Sequence, residues 1–248
     1  MIRTGTHERA AANRRKFTLA NGTGYFKSEF VSTPAPDGAA APAGGGVAPQ
    51  SFLVEQDPNS VILPHFHLQD EFQVVVQGEG SIGRHPVRAL AVHYAGAHTG
   101  YGPITAGADG LWYFTLRPKM DYGAKFLPEA RSEMRKEVPK RHLLGGPIDA
   151  DGDGARRTTS ACEAIFPPQP DGIGGWIARI PPGGAIAAPV HPGGLGRFYM
   201  IAAGTARIGA GGESLDRWAT VFVTPDEEPV QINAGSEGAE VLVLQFAQ

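Results

Sequence analysis

A single cysteine, Cys162, stands among 248 residues, so no intramolecular disulfide can form and nothing marks the chain for an oxidising compartment. Charge of one sign is also lacking: 22 lysines and arginines face 25 aspartates and glutamates, a formal net charge of -3. That near balance offers no electrostatic reason to expect a nucleic acid or an anionic membrane as partner. A small molecule is the expected ligand. No stretch approaches the roughly 20 apolar residues of a spanning helix, and the opening M-I-R-T-G-T-H-E-R-A-A-A-N-R-R-K has no apolar signal core, so a cytoplasmic location is the expectation. Turn-forming residues are abundant instead. Thirty-four glycines and 21 prolines suit many short strands joined by tight turns, an all-β composition.

From Pro64 to Gly78 the chain reads P-H-F-H-L-Q-D-E-F-Q-V-V-V-Q-G. Residues two apart on a strand share a face, so His65 and His67 point the same way and Glu71, at an even offset, joins them. Two imidazoles and a carboxylate on one face form a triad suited to a first-row divalent ion, Fe(II) above all, with coordination positions left open. A lone H-x-H is more often ordinary polar surface; the added glutamate, and the glycine seven residues after it, favour a metal.

These residues resemble the first motif of the cupin superfamily, H-x-H, three or four residues, Glu, six residues, Gly, matched by His65, His67, Glu71 and Gly78. The resemblance implies a small antiparallel barrel, a double-stranded β-helix of jelly-roll type, holding iron, manganese, nickel, copper or zinc. It does not imply a reaction, because one fold serves many chemistries. It also implies a last ligand from a second motif, a histidine after a Pro-x-Gly turn. The candidate is His98 in Y-A-G-A-H-T-G-Y, where the proline and the trailing asparagine are missing and the turn is one residue short. His93, on the preceding strand L-A-V-H-Y, competes with it. A homodimer is implied weakly.

An internal repeat points to duplication without family knowledge. Phe72–Gly83 (F-Q-V-V-V-Q-G-E-G-S-I-G) is echoed by Phe198–Gly209 (F-Y-M-I-A-A-G-T-A-R-I-G), and Ile104–Leu116 by Ile232–Leu244, in the same order and at nearly the same separation. The chain resembles a bicupin. In this alignment His65 maps to His191, His67 to Gly193 and Glu71 to Arg197. A guanidinium in place of a carboxylate ligand sets a fixed positive charge where a cation would sit, so the second copy is expected to be degenerate. Arg197 is expected to serve in a buried ion pair or to hold an anion.

The expected organisation is an N-terminal strand region and flexible Ala/Gly/Pro loop over 1–50, a first, metal-binding barrel over 51–118, a connector with a short helix over 119–159, and a second barrel over 160–248. The helix is read from E-A-R-S-E-M-R-K-E-V-P-K-R. The run Asp149 to Gly154 mimics the start of a calcium loop, but Ser160 stands where the closing glutamate belongs, so an exposed acidic turn is expected. Tyr101 and Arg117 are the candidate catalytic residues. If both face the metal, a flat or short organic acid fits, its carboxylate held by the guanidinium. The leading expectation is a metal-dependent, Fe(II)-type dioxygenase with Mn, Ni and Zn as other possible ions. A metal-dependent isomerase or lyase and a non-catalytic ligand-binding module are the alternatives.

Overall fold

Short runs of β-branched and aromatic residues, interrupted by glycine and proline, form a chain whose regular structure is almost wholly antiparallel strand. The structure is a computed structural model that describes residues 1–32, 47–149, 154–167, 169–189, 194–227 and 229–247. Most of the Ala/Gly/Pro loop, most of the acidic run after Asp149, and both His191 and Gly193 lie outside the described residues. Among the described residues no helix is long and apolar enough to cross a membrane.

Two compact units divide the chain, Asn13–Ile148 and Met1–Ala12 with Asp149–Gln248. The second opens with β1 (Ile2–Gly5) and the five-residue helix α1 (His7–Ala11), capped by the Thr6 side chain. The first holds β2 (Arg15–Thr18), β3 (Gly24–Val31), β4 (Gln50–Gln56), β5 (Val61–Ile62), β6 (His65–Phe66), β7 (Glu71–Ile82), β8 (His85–Arg88), β9 (Val92–Ala95), β10 (Ile104–Arg117), β11 (Lys125–Phe126) and β12 (His142–Gly145). The second continues with β13 (Ala161–Phe166), β14 (Gly174–Ile180), β15 (Ala185–Ala187), β16 (Gly196–Ile208), β17 (Thr220–Val223) and β18 (Gln231–Phe246).

The two main sheets repeat one topology. In the first the order is β12-β9-β7-β10-β4-β3-β2, with β5 on β10; in the second it is β1-β17-β16-β18-β14-β13, with β15 on β18. The repeat read from the sequence falls on β7/β10 and β16/β18, and its register is identical in both: Phe72 opposes Leu116 and Ile82 opposes Ile104, as Phe198 opposes Leu244 and Ile208 opposes Ile232. Each copy bends at one glycine. Gly78 (φ +77°) and Gly204 (φ +69°) sit in left-handed backbone, and a Cβ on either would collide with the carbonyl oxygen of Gly110 or Gly238 on the facing strand.

The boundaries expected from the sequence need correction. Residues 119–148 are not a connector, because β11 pairs with β6 and β12 with β9, closing the first unit. Residues 1–12 belong to the second unit, where β1 pairs with β17. The charged segment forms only a short 3-10 segment, Glu129–Glu133, and the chain then turns again at Lys136 and Glu137 before β12. Each unit has an apolar interior: Val54, Val75, Ile104, Leu111 and Tyr113 are among the buried residues of the first, Tyr199, Ile201, Val221, Ile232 and Val241 of the second.

Candidate metal centre

β6 and the head of β7 bring the motif residues together at one end of the first barrel. His65, His67 and Glu71 are all buried, 3%, 8% and 1% exposed, so their polarity has to be met by neighbours. His65 exchanges both backbone hydrogen bonds with Tyr101 (3.0 and 2.9 Å) in an isolated antiparallel bridge. Directly opposed residues share a sheet face, which puts the Tyr101 phenol beside the His65 ring. Arg117 lies one step beyond the Leu116–Phe72 pair and so stands across from Glu71. Both candidate catalytic residues therefore face the motif.

Hydrogen bonds orient each group. The Nδ1 of His65 faces the Leu63 carbonyl (2.7 Å), and the Nδ1 of His67 faces the Asp121 carboxylate (2.8 Å). Carbonyl and carboxylate can only accept, so both imidazoles carry the Nδ1 proton, and in the neutral ring each Nε2 is a bare lone pair turned to the cluster. The Nε2 of His65 lies 2.9 Å from the Tyr101 hydroxyl, and that of His67 lies 3.9 Å from Glu71 Oε2. Glu71 Oε1 accepts a short hydrogen bond from Tyr101, and Oε2 accepts from Arg117 Nε (3.0 Å) and Nη2 (2.6 Å). Gln73 Nε2 donates to the Tyr101 oxygen at 3.3 Å.

The environment sets the charges. Burial alone would raise the Glu71 carboxyl, but His67, Arg117 and the Tyr101 hydrogen bond outweigh it and hold it below the usual carboxylate range. Burial, then the neighbouring His67, pushes the His65 ring down to about 4. Asp121 would also rise with burial, but the hydrogen bond from His67, together with the Arg117 charge and the Gly123 N–H, holds it well below the usual range. Burial and the adjacent Glu71 raise the Tyr101 phenol far above its ordinary value, so its proton stays on the oxygen.

One expected ligand is corrected. His98 adopts a left-handed backbone (φ +57°), its Nδ1 accepts from the Arg135 N–H (3.3 Å), and its ring lies against Phe66. Phe66 follows His65 on β6, so that ring is on the opposite face from His65. His93 is also outside the cluster, its Nδ1 facing Gln73 Oε1 at 2.9 Å. The side chain supplied after the glycine turn is that of Tyr101. In the second unit Arg197 is buried and donates to the Pro189 carbonyl (2.8 Å) and to Gln245 Oε1 (2.7 Å). Arg197 and Gln245 are register partners, the same cross-strand position that holds Glu71 and Arg117 in the first unit.

A cavity of about 310 Å³ opens beside the cluster, walled by the rings of Tyr25, Phe52, Tyr113 and Phe126 and by Lys27, His65, His67, Tyr101 and Arg117. Glu71 stands behind that wall. Among the described residues no three His, Cys, Asp or Glu side chains form a ready-made metal cage; Tyr101 and Arg117 are bonded to the carboxylate that would complete one. The donor chemistry nonetheless fits a cation. The Nε2 lone pair of His67 lies by the Glu71 carboxylate and that of His65 by the Tyr101 hydroxyl bonded to it, while the single Tyr101 proton serves either Glu71 or His65 and not both.

Sequence reasoning missed Asp121 and Gln73. Gln73 carried a signal, being two residues after Glu71 on the same strand and thus on the same face. Asp121 carried none, because it meets His67 across 54 residues of chain.

No family model matches the chain and no curated protein matches its sequence. Solved structures share its fold. The Escherichia coli pirin YhhW in complex with nickel(II) is 12% identical, with a TM-score of 0.57 over 100% of this chain and 99% of its own. The Lactobacillus farciminis oxalate decarboxylase formate complex is 11% identical (TM-score 0.58, 96% and 84% covered), and a putative dioxygenase from Nostoc punctiforme 12% (TM-score 0.53, 100% and 79%). The fold is all-β and of cupin type.

Proposed function

We propose that the protein is a bicupin whose first barrel holds a divalent metal on His65, His67 and Glu71, and that it acts as an Fe(II)-type dioxygenase on a small organic acid. The supporting observation is the pair of buried Nε2 lone pairs, each ring fixed through its other nitrogen by an acceptor, one 3.9 Å from Glu71 and the other 2.9 Å from the Tyr101 hydroxyl that bonds Glu71. The nickel and the formate bound in two of the similar structures agree with a metal and a small acid. An ion held there would supply open coordination positions and, if it is iron, one-electron chemistry.

The chain's own residues have distinct tasks. Asp121 and the Leu63 carbonyl keep the proton on Nδ1 of each histidine, which leaves Nε2 free to bind. Arg117 holds Glu71 ionised and oriented. With Nε and Nη2 on Glu71 and Nη1 3.7 Å from Asp121, its fork is spent and does not hold a substrate carboxylate. Lys27 is the remaining cation on the cavity wall; it pairs with Glu29 and lies 4.0 Å over the Phe52 ring. The aromatic wall suits a flat ring carrying an acid group, and Tyr101 presents the one hydroxyl proton beside the metal ligands.

The test is elemental analysis of untagged protein purified without added metal, followed by oxygen-uptake assays with small aromatic and short-chain acids. About one iron per chain and acid-dependent oxygen uptake are expected. Zinc or nickel without oxygen uptake overturns the dioxygenase assignment, and failure to load any divalent ion overturns the centre. A non-catalytic ligand-binding module is the second reading, favoured by the hold of Arg117 on Glu71 and by the position of Glu71 behind the cavity wall. In that case ligand affinity is unchanged by a chelator.

A further inference from the structure

We propose that His93 and His142 form a second cation site, binding a divalent transition-metal ion between His93 Nε2 and His142 Nδ1, with the exposed His85 of the cavity rim turning in as a third donor on binding. The site opens into a second cavity of about 460 Å³, lined by Arg84, His85, His93, His142 and Leu144, with Tyr101 common to both cavities.

A count of protons along one hydrogen-bonded chain carries this inference. The chain runs from the Leu63 carbonyl through His65, Tyr101, Gln73, His93 and His142 to the Gly100 carbonyl. Both ends only accept. The Tyr101 proton is already claimed by Glu71 and His65, so Gln73 must present its amide N–H to the phenol oxygen and its Oε1 to His93. The proton of neutral His93 is therefore on Nδ1, and its Nε2 is a lone pair. His142 Nε2 lies 3.2 Å from the Gly100 carbonyl and donates to it, which leaves His142 Nδ1 a lone pair as well. These two lone pairs face each other 3.2 Å apart. Two nitrogens bound at Zn–N distances of ~2.0–2.1 Å and a near-tetrahedral angle lie about 3.3 Å apart. Each ring also has the outer acceptor that ligating imidazoles have, Gln73 Oε1 for one and the Gly100 carbonyl for the other.

The surroundings agree. His93 is 5% exposed while His85 and His142 are exposed, so one donor is rigid and two are reachable from the cavity. Burial first, and then the charge of His142, pushes His93 down to about 4, which disfavours a proton as the bridging species. An ion on the pair fixes Nδ1–H of His93 on Gln73, and Gln73 in turn fixes the lone-pair side of Tyr101. The second site would thus set the hydroxyl direction in the first.

The experiment titrates metal-stripped, full-length protein with Zn(II) alone, followed by calorimetry and by elemental analysis after gel filtration. Wild type, His142→Ala, His67→Ala and the double variant are compared; His142 is exposed, so its removal leaves no buried void. The expected result is that His142→Ala retains one zinc fewer per chain than wild type, His67→Ala lacks a different one, and the double variant lacks both. His67→Ala binding as wild type does would count against the first centre and leave the His142 result intact. Unchanged zinc content in His142→Ala overturns the second site, as do imidazole nitrogen resonances of His93 and His142 that Zn(II) does not move. His85→Ala is expected to weaken that equivalent by about tenfold, the lower end of what a lost supporting group costs; undiminished affinity removes His85 from the site.

Discussion

Arg117 donates to one and the same oxygen of Glu71 through Nε at 3.0 Å and Nη2 at 2.6 Å, inside a barrel where both side chains are almost fully buried. The other oxygen faces Tyr101. A carboxylate so placed is charged, oriented and dependent on its partner, because neither charge has water to return to. Removing one partner of a buried pair typically costs about 3–5 kcal/mol. Arg117→Ala should lower stability by about that amount, read from urea denaturation, and Glu71→Leu/Arg117→Met should recover much of it. A loss below about 1 kcal/mol, the level of an exposed pair, would contradict the burial argument.

Acid should destabilise the protein in two stages. His65 and His93 are held near 4 against an ordinary value of 6.5. Between those limits the unfolded chain binds more protons than the folded one, so stability falls as pH drops from 6.5 towards 4, by on the order of a few kcal/mol in all. Glu71 and Asp121 are held below their ordinary values of 4.5 and 3.8; their stabilisation is present above those values and lost as pH falls below them. Urea midpoints at pH 7, 5.5 and 4.5 measure the first stage, and His93→Gln should flatten it.

Metal loading separates the ligands from their neighbours. His67→Ala and Glu71→Ala should each abolish the first site, whereas His98→Ala should retain it, because the His98 ring packs on Phe66 on the other face of β6. Asp121→Asn should weaken the metal by about 10–100-fold by releasing the His67 ring. Equilibrium dialysis against a coloured chelator gives the ranking; full metal retention in His67→Ala would reject the assignment.

Tyr101→Phe keeps the ring between the cavities and removes only the hydroxyl. If that proton serves turnover, kcat should fall by about 100-fold, the lower end for a positioned acid or base, with metal content unchanged. Loss of metal instead would mark the phenol oxygen as a ligand.

Gly78→Ala and Gly204→Ala should each destabilise by about 1–3 kcal/mol. Both glycines have positive φ, and both lie against a facing carbonyl. A thermal-melt series on the two single variants also tests whether the repeats bend for the same reason.

The all-β class and the internal repeat were legible in the amino acids alone. The repeated Phe, Gly and Ile-Gly positions pair in one register in both sheets, since side-chain period and glycine geometry are properties of the backbone, whereas His65 on β6 and Glu71 at the head of β7 are separated by bends at Leu68 and Gln69 and meet only through the fold. What the tertiary structure decided depends on residues far apart in the chain. Tyr101, and not His98, faces the motif, since a β-bridge to His65 orients one and a left-handed backbone turns the other away. Asp121 reaches His67 only once β6 and β11 pair, and Ile2 finds Val223 across nearly the whole chain. The segment around Arg131 has the composition of a helix, yet between β11 and β12 it forms only a short 3-10 segment. Such pairings are set by which buried hydrogen-bond groups must be satisfied together, and no window of sequence contains both partners.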